Sequence, residues 1–256
     1  MQEIEVVSTL DGSKEKGLLY VPEAAGKIPL LVGLHTWSFD RFNQVDSMKP
    51  LCAARGWALV LPEFRGPNLA SNPRARQACA SKLAKQDVLD AVAAVRNAVP
   101  IDDDNLFLLG GSGGGHMALM MAAYAPTFWK GVSAWVPITD LAAWHSENPN
   151  YAAGIAACCG GIPGASPEVD REYRERSPLF QAKNLLGANL SVHHGRFDQS
   201  VPYTQTWRLI QEMERLGAKR FFSELFDGAH ELHYDRAFQW FDALLARGKA
   251  VKGLTG

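Results

Sequence analysis

Leu106-Phe107-Leu108-Leu109-Gly110-Gly111-Ser112-Gly113-Gly114-Gly115-His116 is the stretch on which the reading of this chain turns. The apolar run 106–109 predicts a buried strand, and His116 to Tyr124, rich in Met, Ala and Leu, predicts a buried helix. Between them a serine stands on a turn crowded with glycine. Gly110 and Gly114 frame it as G-x-S-x-G, which lets the two backbones approach closely while the hydroxyl stays exposed. The helix N-terminus beneath favours developing negative charge. These flanks favour a nucleophile over a serine that merely caps a helix. Two phosphate-binding readings fail on the residue that would carry the chemistry. His116-Met117 stands where a P-loop needs Lys and then Ser or Thr, and a dinucleotide fingerprint from Gly111 would need glycine at 116.

The chain has 256 residues, enough for one large domain, 1–256, with ample core. A hydrophobic fraction of 47% and a charged fraction of 21% are ordinary for a globular protein. The net charge of -1 provides no electrostatic attraction for nucleic acid or an anionic membrane. No apolar run approaches the ~18 residues that span a bilayer. Met1 to Glu5 lacks a signal peptide's basic region and apolar stretch, so a cytoplasmic location is the expectation. Cys52, Cys79, Cys158 and Cys159 form neither a disulfide scaffold nor a C-x-x-C metal pattern. Neither a metal nor any other cofactor is expected.

Outward from the serine, the pattern alternates strands with helices. Ile4–Ser8 and Lys16–Val21 flank Asp11-Gly12 as an antiparallel hairpin. Strands are predicted at 28–34, 57–61, 106–109, 131–136, 190–194 and 220–226. Helices are predicted at 45–55, 83–99, 116–124, 203–216 and 233–245. Asp102-Asp103-Asp104-Asn105 reads as a polar turn. Residues 137–188 read as an irregular insertion over the sheet and the active site, broken by Gly160-Gly161-Ile162-Pro163-Gly164. Such alternation implies a mostly parallel sheet covered on both faces.

A serine hydroxyl needs a base to take its proton, and the base needs an oriented acceptor. In the α/β-hydrolase fold these follow in the order Ser, acid, His, each on a loop beyond the carboxyl end of a strand. Asp198 follows the strand ending at His194-Gly195, and His230 follows the strand ending at Phe226, so Ser112, Asp198 and His230 are predicted at one sheet edge. Asp140 is the rival acid. The oxyanion hole requires two donors: the Gly113 N–H, and one from the loop after 30–34, where Trp37 is preferred over Thr36. Trp144, Trp135, Tyr151 and His145 are candidates for the substrate pocket, aromatic walls suiting an acyl group, an aromatic ester or a sugar face.

With these residues placed, the chain resembles the catalytic domain of the prolyl oligopeptidase family. The resemblance rests on Phe64-Arg65-Gly66, 110–115, Glu175-Arg176-Ser177-Pro178-Leu179, His194-Gly195-Arg196-Phe197-Asp198-Gln199-Ser200-Val201-Pro202 and Gly228-Ala229-His230. It implies an α/β-hydrolase fold and a serine hydrolase with its triad on those positions. Two departures stand out: these residues have no room for that family's β-propeller, and His35-Thr36-Trp37 replaces its Tyr-Gly-Gly oxyanion segment. Stand-alone domains of this type resemble carboxylesterases, including those acting on acylated carbohydrates. The expectation is therefore hydrolysis of a small-molecule ester through an acyl-enzyme. A small-peptide peptidase and a non-catalytic binding scaffold are the alternatives.

Overall fold

The computed structural model describes residues 1–254. The predicted hairpin forms from β1 (Gln2–Val7) and β2 (Lys14–Tyr20), with Gly12 supplying the left-handed residue at φ +72°. Then follow β3 (Ile28–Leu34), α1 (Val45–Ala53), β4 (Ala58–Pro62), α2 (Lys82–Ala98), β5 (Ile101–Gly111), α3 (Gly113–Tyr124) and β6 (Gly131–Trp135). The insertion holds α4 (Leu141–Glu147), α5 (Pro149–Cys159), α6 (Pro167–Glu175) and α7 (Ala182–Leu185). The chain continues through β7 (Leu190–Gly195), α8 (Thr204–Arg215), β8 (Phe221–Phe226) and α9 (Tyr234–Leu254).

The strands form one eight-stranded sheet in the order β1-β2-β4-β3-β5-β6-β7-β8. Only the β1–β2 and β2–β4 pairs are antiparallel; all the pairs from β4 to β8 are parallel. Period-2 alternation sends Leu30, Val32, Leu106 and Leu108 to one face, against Val88 and Val92 of α2 and Leu209 of α8. Leu31, Phe107 and Leu109 go to the other, against Met48 of α1 and Phe238 and Phe241 of α9. Both faces being covered, the strands read as continuous apolar runs.

Two sequence expectations are corrected. Asp102 to Asn105 is not a turn: β5 runs through it, with a register irregularity where β3 pairs between Ile28 and Leu30. These side chains remain at least partly exposed, so polarity there costs the backbone ladder nothing. The insertion is mostly helical rather than irregular. Three of its helices carry their own start signals: Asp140 accepts from the Ala142 and Ala143 N–H groups, and Asn148 and Ser166 cap α5 and α6 directly ahead of Pro149 and Pro167. Gly160, at φ +87°, ends α5. The helices bury their apolar sides in a third core cluster above the carboxyl ends of the strands. There Ile138, Leu141, Trp144, Ile155 and Tyr173 meet Trp37, Cys79 and Val201 from the loops after β3, β4 and β7.

A buried ion pair ties the hairpin to the sheet. Arg65 is 1% exposed and donates to Asp87 on α2, to Asp11 in the hairpin turn (2.7 Å), and to Ser8 and Gln77 (both 3.0 Å). Burial raises the Asp87 carboxyl and the Arg65 guanidinium pulls it back. Arg65→Leu leaves Asp87 buried without its cation. It is expected to lower the unfolding free energy by about 3–5 kcal/mol in urea titrations; a loss below about 1 kcal/mol would mean that water already compensates Asp87.

Candidate active site

The serine turn forms because nothing larger than hydrogen fits around it. An added Cβ on Gly110 would overlap the Gly114 carbonyl, and one on Gly113 would lie 2.5 Å from both the nitrogen and the Cα of Trp37. Ser112 itself sits at φ +56°, a left-handed conformation unusual for a residue with a side chain. Its N–H donates to the Trp135 carbonyl (2.8 Å) and its carbonyl accepts from His116, which fasten the turn to β6 and α3. Ser112 as a whole residue is 9% exposed, and its Oγ is not among the buried unpartnered atoms, so the hydroxyl stays accessible. Close packing around the turn keeps the rest of the residue covered, with Leu232 and Tyr234 against Gly111 and Trp37 against Gly113.

The second and third candidates are brought together by the ends of β7 and β8. Gly195 and Phe226 are register partners, so their following loops start side by side. Arg196 N–H donates to the Phe226 carbonyl and Phe197 N–H to the Gly228 carbonyl, both at 2.9 Å. That stitching sets Asp198 Oδ2 2.6 Å from His230 Nδ1. Among the described residues, neither Ser112 Oγ nor His230 Nε2 makes a hydrogen bond, which leaves the nitrogen opposite the carboxylate contact free. Asp140, the rival acid, caps α4 and lies 3.7 Å from Arg208.

Asp198 is held by more than His230. Its Oδ1 accepts from the Ser200 (2.8 Å) and Val201 (2.9 Å) N–H groups. His194, fully buried, places Nε2 2.8 Å from the Val201 carbonyl and 3.3 Å from Asp198 Oδ2. Both are acceptors, so Nε2 carries the proton and Nδ1 accepts from the Thr206 hydroxyl (2.7 Å). Burial alone would raise the Asp198 carboxyl; hydrogen bonds from His194, His230 and Val201 outweigh it and hold the group below the usual carboxylate range. Sequence reasoning missed His194 and Thr206. The only signal was a histidine and a glycine closing the strand before the acid loop.

The backbone nitrogen of Trp37 lies against Gly113, the residue after the serine. Among the described residues the Gly113 and Trp37 amides donate to nothing, whereas the Thr36 N–H is taken by Asn43 Oδ1 (3.0 Å). Trp37 is therefore the available donor of the two.

The proposed pocket aromatics fare differently. Trp135 is fully buried in β6, stacked on His193 at 4.0 Å with its Nε1–H on Ser133, because its strand position faces the α9 side of the sheet. It is not a pocket residue. Trp144 is 1% exposed, enclosed between Trp37 and Tyr151 in the third core cluster, so it is no open wall either. Tyr151 is half-buried on Trp144, and His145 lies edge-on to Tyr173 within the insertion; neither makes a contact that places it beside Ser112.

The sheet order, the serine turn and the loops beyond β5, β7 and β8 define an α/β-hydrolase. Residues 43–246 match the model of the prolyl oligopeptidase family, and the chain belongs to that family. Comparison with curated proteins found no match. Among solved structures, the Pyrococcus horikoshii acylaminoacyl peptidase is similar at 21% identity and TM-score 0.70 over 90% of this chain, which spans only 37% of that one. A puromycin-hydrolyzing peptidase of Mycobacterium tuberculosis is similar at 18% identity and TM-score 0.71, with 90% and 36% of the chains covered. The S-formylglutathione hydrolase (FrmB) of Staphylococcus aureus is similar at 15% identity and TM-score 0.68, with 94% and 97% covered. Family membership supports a serine hydrolase, and the neighbours show the fold.

Exchange of the two aspartates separates their roles. Asp198→Asn is expected to cut turnover of an activated ester by roughly 10⁴, the cost of a misdirected tautomer in a comparable triad. Asp140→Asn keeps a good cap and should change it little; the reverse ranking of kcat would move the acid to the earlier strand.

Buried histidines predict a pH dependence of stability. Burial pushes His116 and His193 down to about 4 from an ordinary 6.5. Between those values the unfolded chain takes up protons that the folded one does not. Their contribution is therefore full above pH 6.5 and lost on descent toward pH 4, on the order of 3 kcal/mol per histidine. Urea midpoints should fall across that window, and fall less for His116→Gln, which retains a donor toward the Arg176 carbonyl. Equal slopes for the two proteins would remove His116 from the account.

Proposed function

We propose that the protein hydrolyses carboxylic esters through an acyl-enzyme on Ser112. The observation that carries the reading is the 2.6 Å contact of Asp198 with His230 Nδ1, which leaves Nε2 free beyond the same strand ends that present Ser112. Asp198 stays ionised, so it holds the proton on Nδ1 and keeps Nε2 bare as a base. Nε2 takes the Ser112 proton as Oγ attacks the ester carbonyl. The oxyanion that forms is met by the Gly113 and Trp37 N–H groups, which need no rearrangement because neither has another partner among the described residues. The imidazolium then protonates the leaving alcohol. Water attacks the acyl-enzyme by the same route in reverse, releasing the acid and restoring Ser112.

Ester rather than amide cleavage is supported by the oxyanion site. The segment His35-Thr36-Trp37 offers a backbone donor and no tyrosine hydroxyl. His35 is buried against Phe64, and both its ring nitrogens face the Thr36 and Glu63 carbonyls. Two amide donors suit the better leaving group. Hydrolysis of small peptides is the second reading, favoured by the names of two structural neighbours, an acylaminoacyl peptidase and a puromycin-hydrolyzing peptidase.

A panel of p-nitrophenyl, feruloyl and acylated-sugar esters against aminoacyl-p-nitroanilides decides between them. Esters are expected to be the better substrates, and Ser112→Ala should lose at least ~10³-fold in kcat while keeping its thermal transition. Anilides turned over as fast as the esters would overturn the ester reading; an active Ser112→Ala would overturn the nucleophile.

A further inference from the structure

We infer that Trp144 is a positioning residue: one side chain of the insertion holds both the oxyanion loop and the acid loop in place across Ser112. The inference rests on the serine-hydrolase reading above.

The indole makes a separate contact with each loop. Its ring meets Trp37 edge to face, with centroids 4.8 Å apart and planes at 79°, the geometry in which a positive ring edge meets a negative ring face. Trp37 carries the N–H beside Gly113 that has no partner among the described residues, so holding its ring limits the freedom of the backbone that presents the donor. The indole Nε1–H donates to the Ser200 carbonyl at 3.0 Å. Ser200 is the residue whose own N–H donates to Asp198 Oδ1 at 2.8 Å, so the tether reaches the carboxylate through a single residue. Asn148 Nδ2 donates to the same carbonyl at 2.8 Å, giving Ser200 two donors from the insertion.

A brace needs an anchored base, and α4 has one. Asp140 caps its first turn, the Leu141 N–H donates to Ser177 Oγ (2.9 Å), and the Thr139 and Asp140 N–H groups donate to the buried Gln205 side chain (3.0 and 2.8 Å). Tyr151 stacks on the indole at 4.5 Å, so the ring is enclosed and 1% exposed. This enclosure argues against direct contact with substrate, and the polar tether argues against mere filling. A phenyl ring would fill much of the same space without holding Ser200.

Trp144→Phe keeps an aromatic edge against Trp37 and deletes the tether; Asn148→Ser keeps a good helix cap and deletes the second donor. Each variant and the pair would be compared with wild type for fluorophosphonate labelling of Ser112. Active-site titration and kcat and KM for p-nitrophenyl acetate would complete the comparison. Trp144→Phe is expected to lower the labelling rate, and kcat per titrated site, by about three- to tenfold, the worth of one hydrogen bond, with KM within about twofold. The double variant should lose more than either single. Wild-type kcat per titrated site in the double variant would overturn the inference. So would a rise in KM alone, which would put Trp144 against substrate, or a loss explained wholly by fewer titratable sites, which would leave it a packing role. Failure of the wild-type protein to label at Ser112 is a different result, and it would overturn the hydrolase reading itself.

Discussion

Backbone approaches backbone around Ser112 at distances that exclude any side chain, and the rest of the site depends on that contact. Gly110 faces the Gly114 carbonyl and Gly113 faces the Trp37 backbone, each closer than a Cβ allows. The left-handed serine costs conformational energy, and its N–H bond to Trp135 and carbonyl bond from His116 hold it there. The same closeness brings two unpartnered amides together. Strain, the placement of the two amides and glycine content are therefore one constraint seen from three sides.

Asp198 and His230 are positioned by a different device. Parallel strands that end in register deliver their loops side by side, and backbone hydrogen bonds across those loops fix their relative height. Asp198 is then surrounded by donors from three sources: its own loop, His230, and His194 with Thr206 behind it. Burial would favour the neutral carboxylic acid; the donors reverse the balance, and the group stays charged beside His230. Precise placement follows as well, since a carboxylate saturated with donors has little freedom to rotate.

The insertion completes the arrangement by building a core of its own. Its helices are short, none would be stable alone, and their apolar sides are satisfied against the loops that carry Trp37, Cys79 and Val201. Roof and site are thereby folded together: the aromatic residues of the insertion are spent on Trp37 and Ser200 rather than left open to a ligand. This explains why Trp144, flanked by polar neighbours in the sequence, is among the most deeply buried side chains in the protein.

The sequence by itself determined the elements whose cause is local. Apolar runs and helical spacing marked the strands and helices, Gly110 and Gly114 marked the turn, and the order of Ser112, Asp198 and His230 marked the candidate site. Start signals at Asn148-Pro149 and Ser166-Pro167 were equally local and would have revealed the helices of the insertion. What only the tertiary structure decided was partnership. Whether Asp140 or Asp198 faces the histidine depends on which strands are neighbours. Whether Thr36 or Trp37 has a spare amide depends on Asn43. Whether Trp135 and Trp144 face a ligand or a core depends on which side of the sheet and roof each one meets. Residue type and spacing specify what a segment can bury or donate. They do not specify which distant group will reach it first, because that competition is settled only when the whole chain has packed.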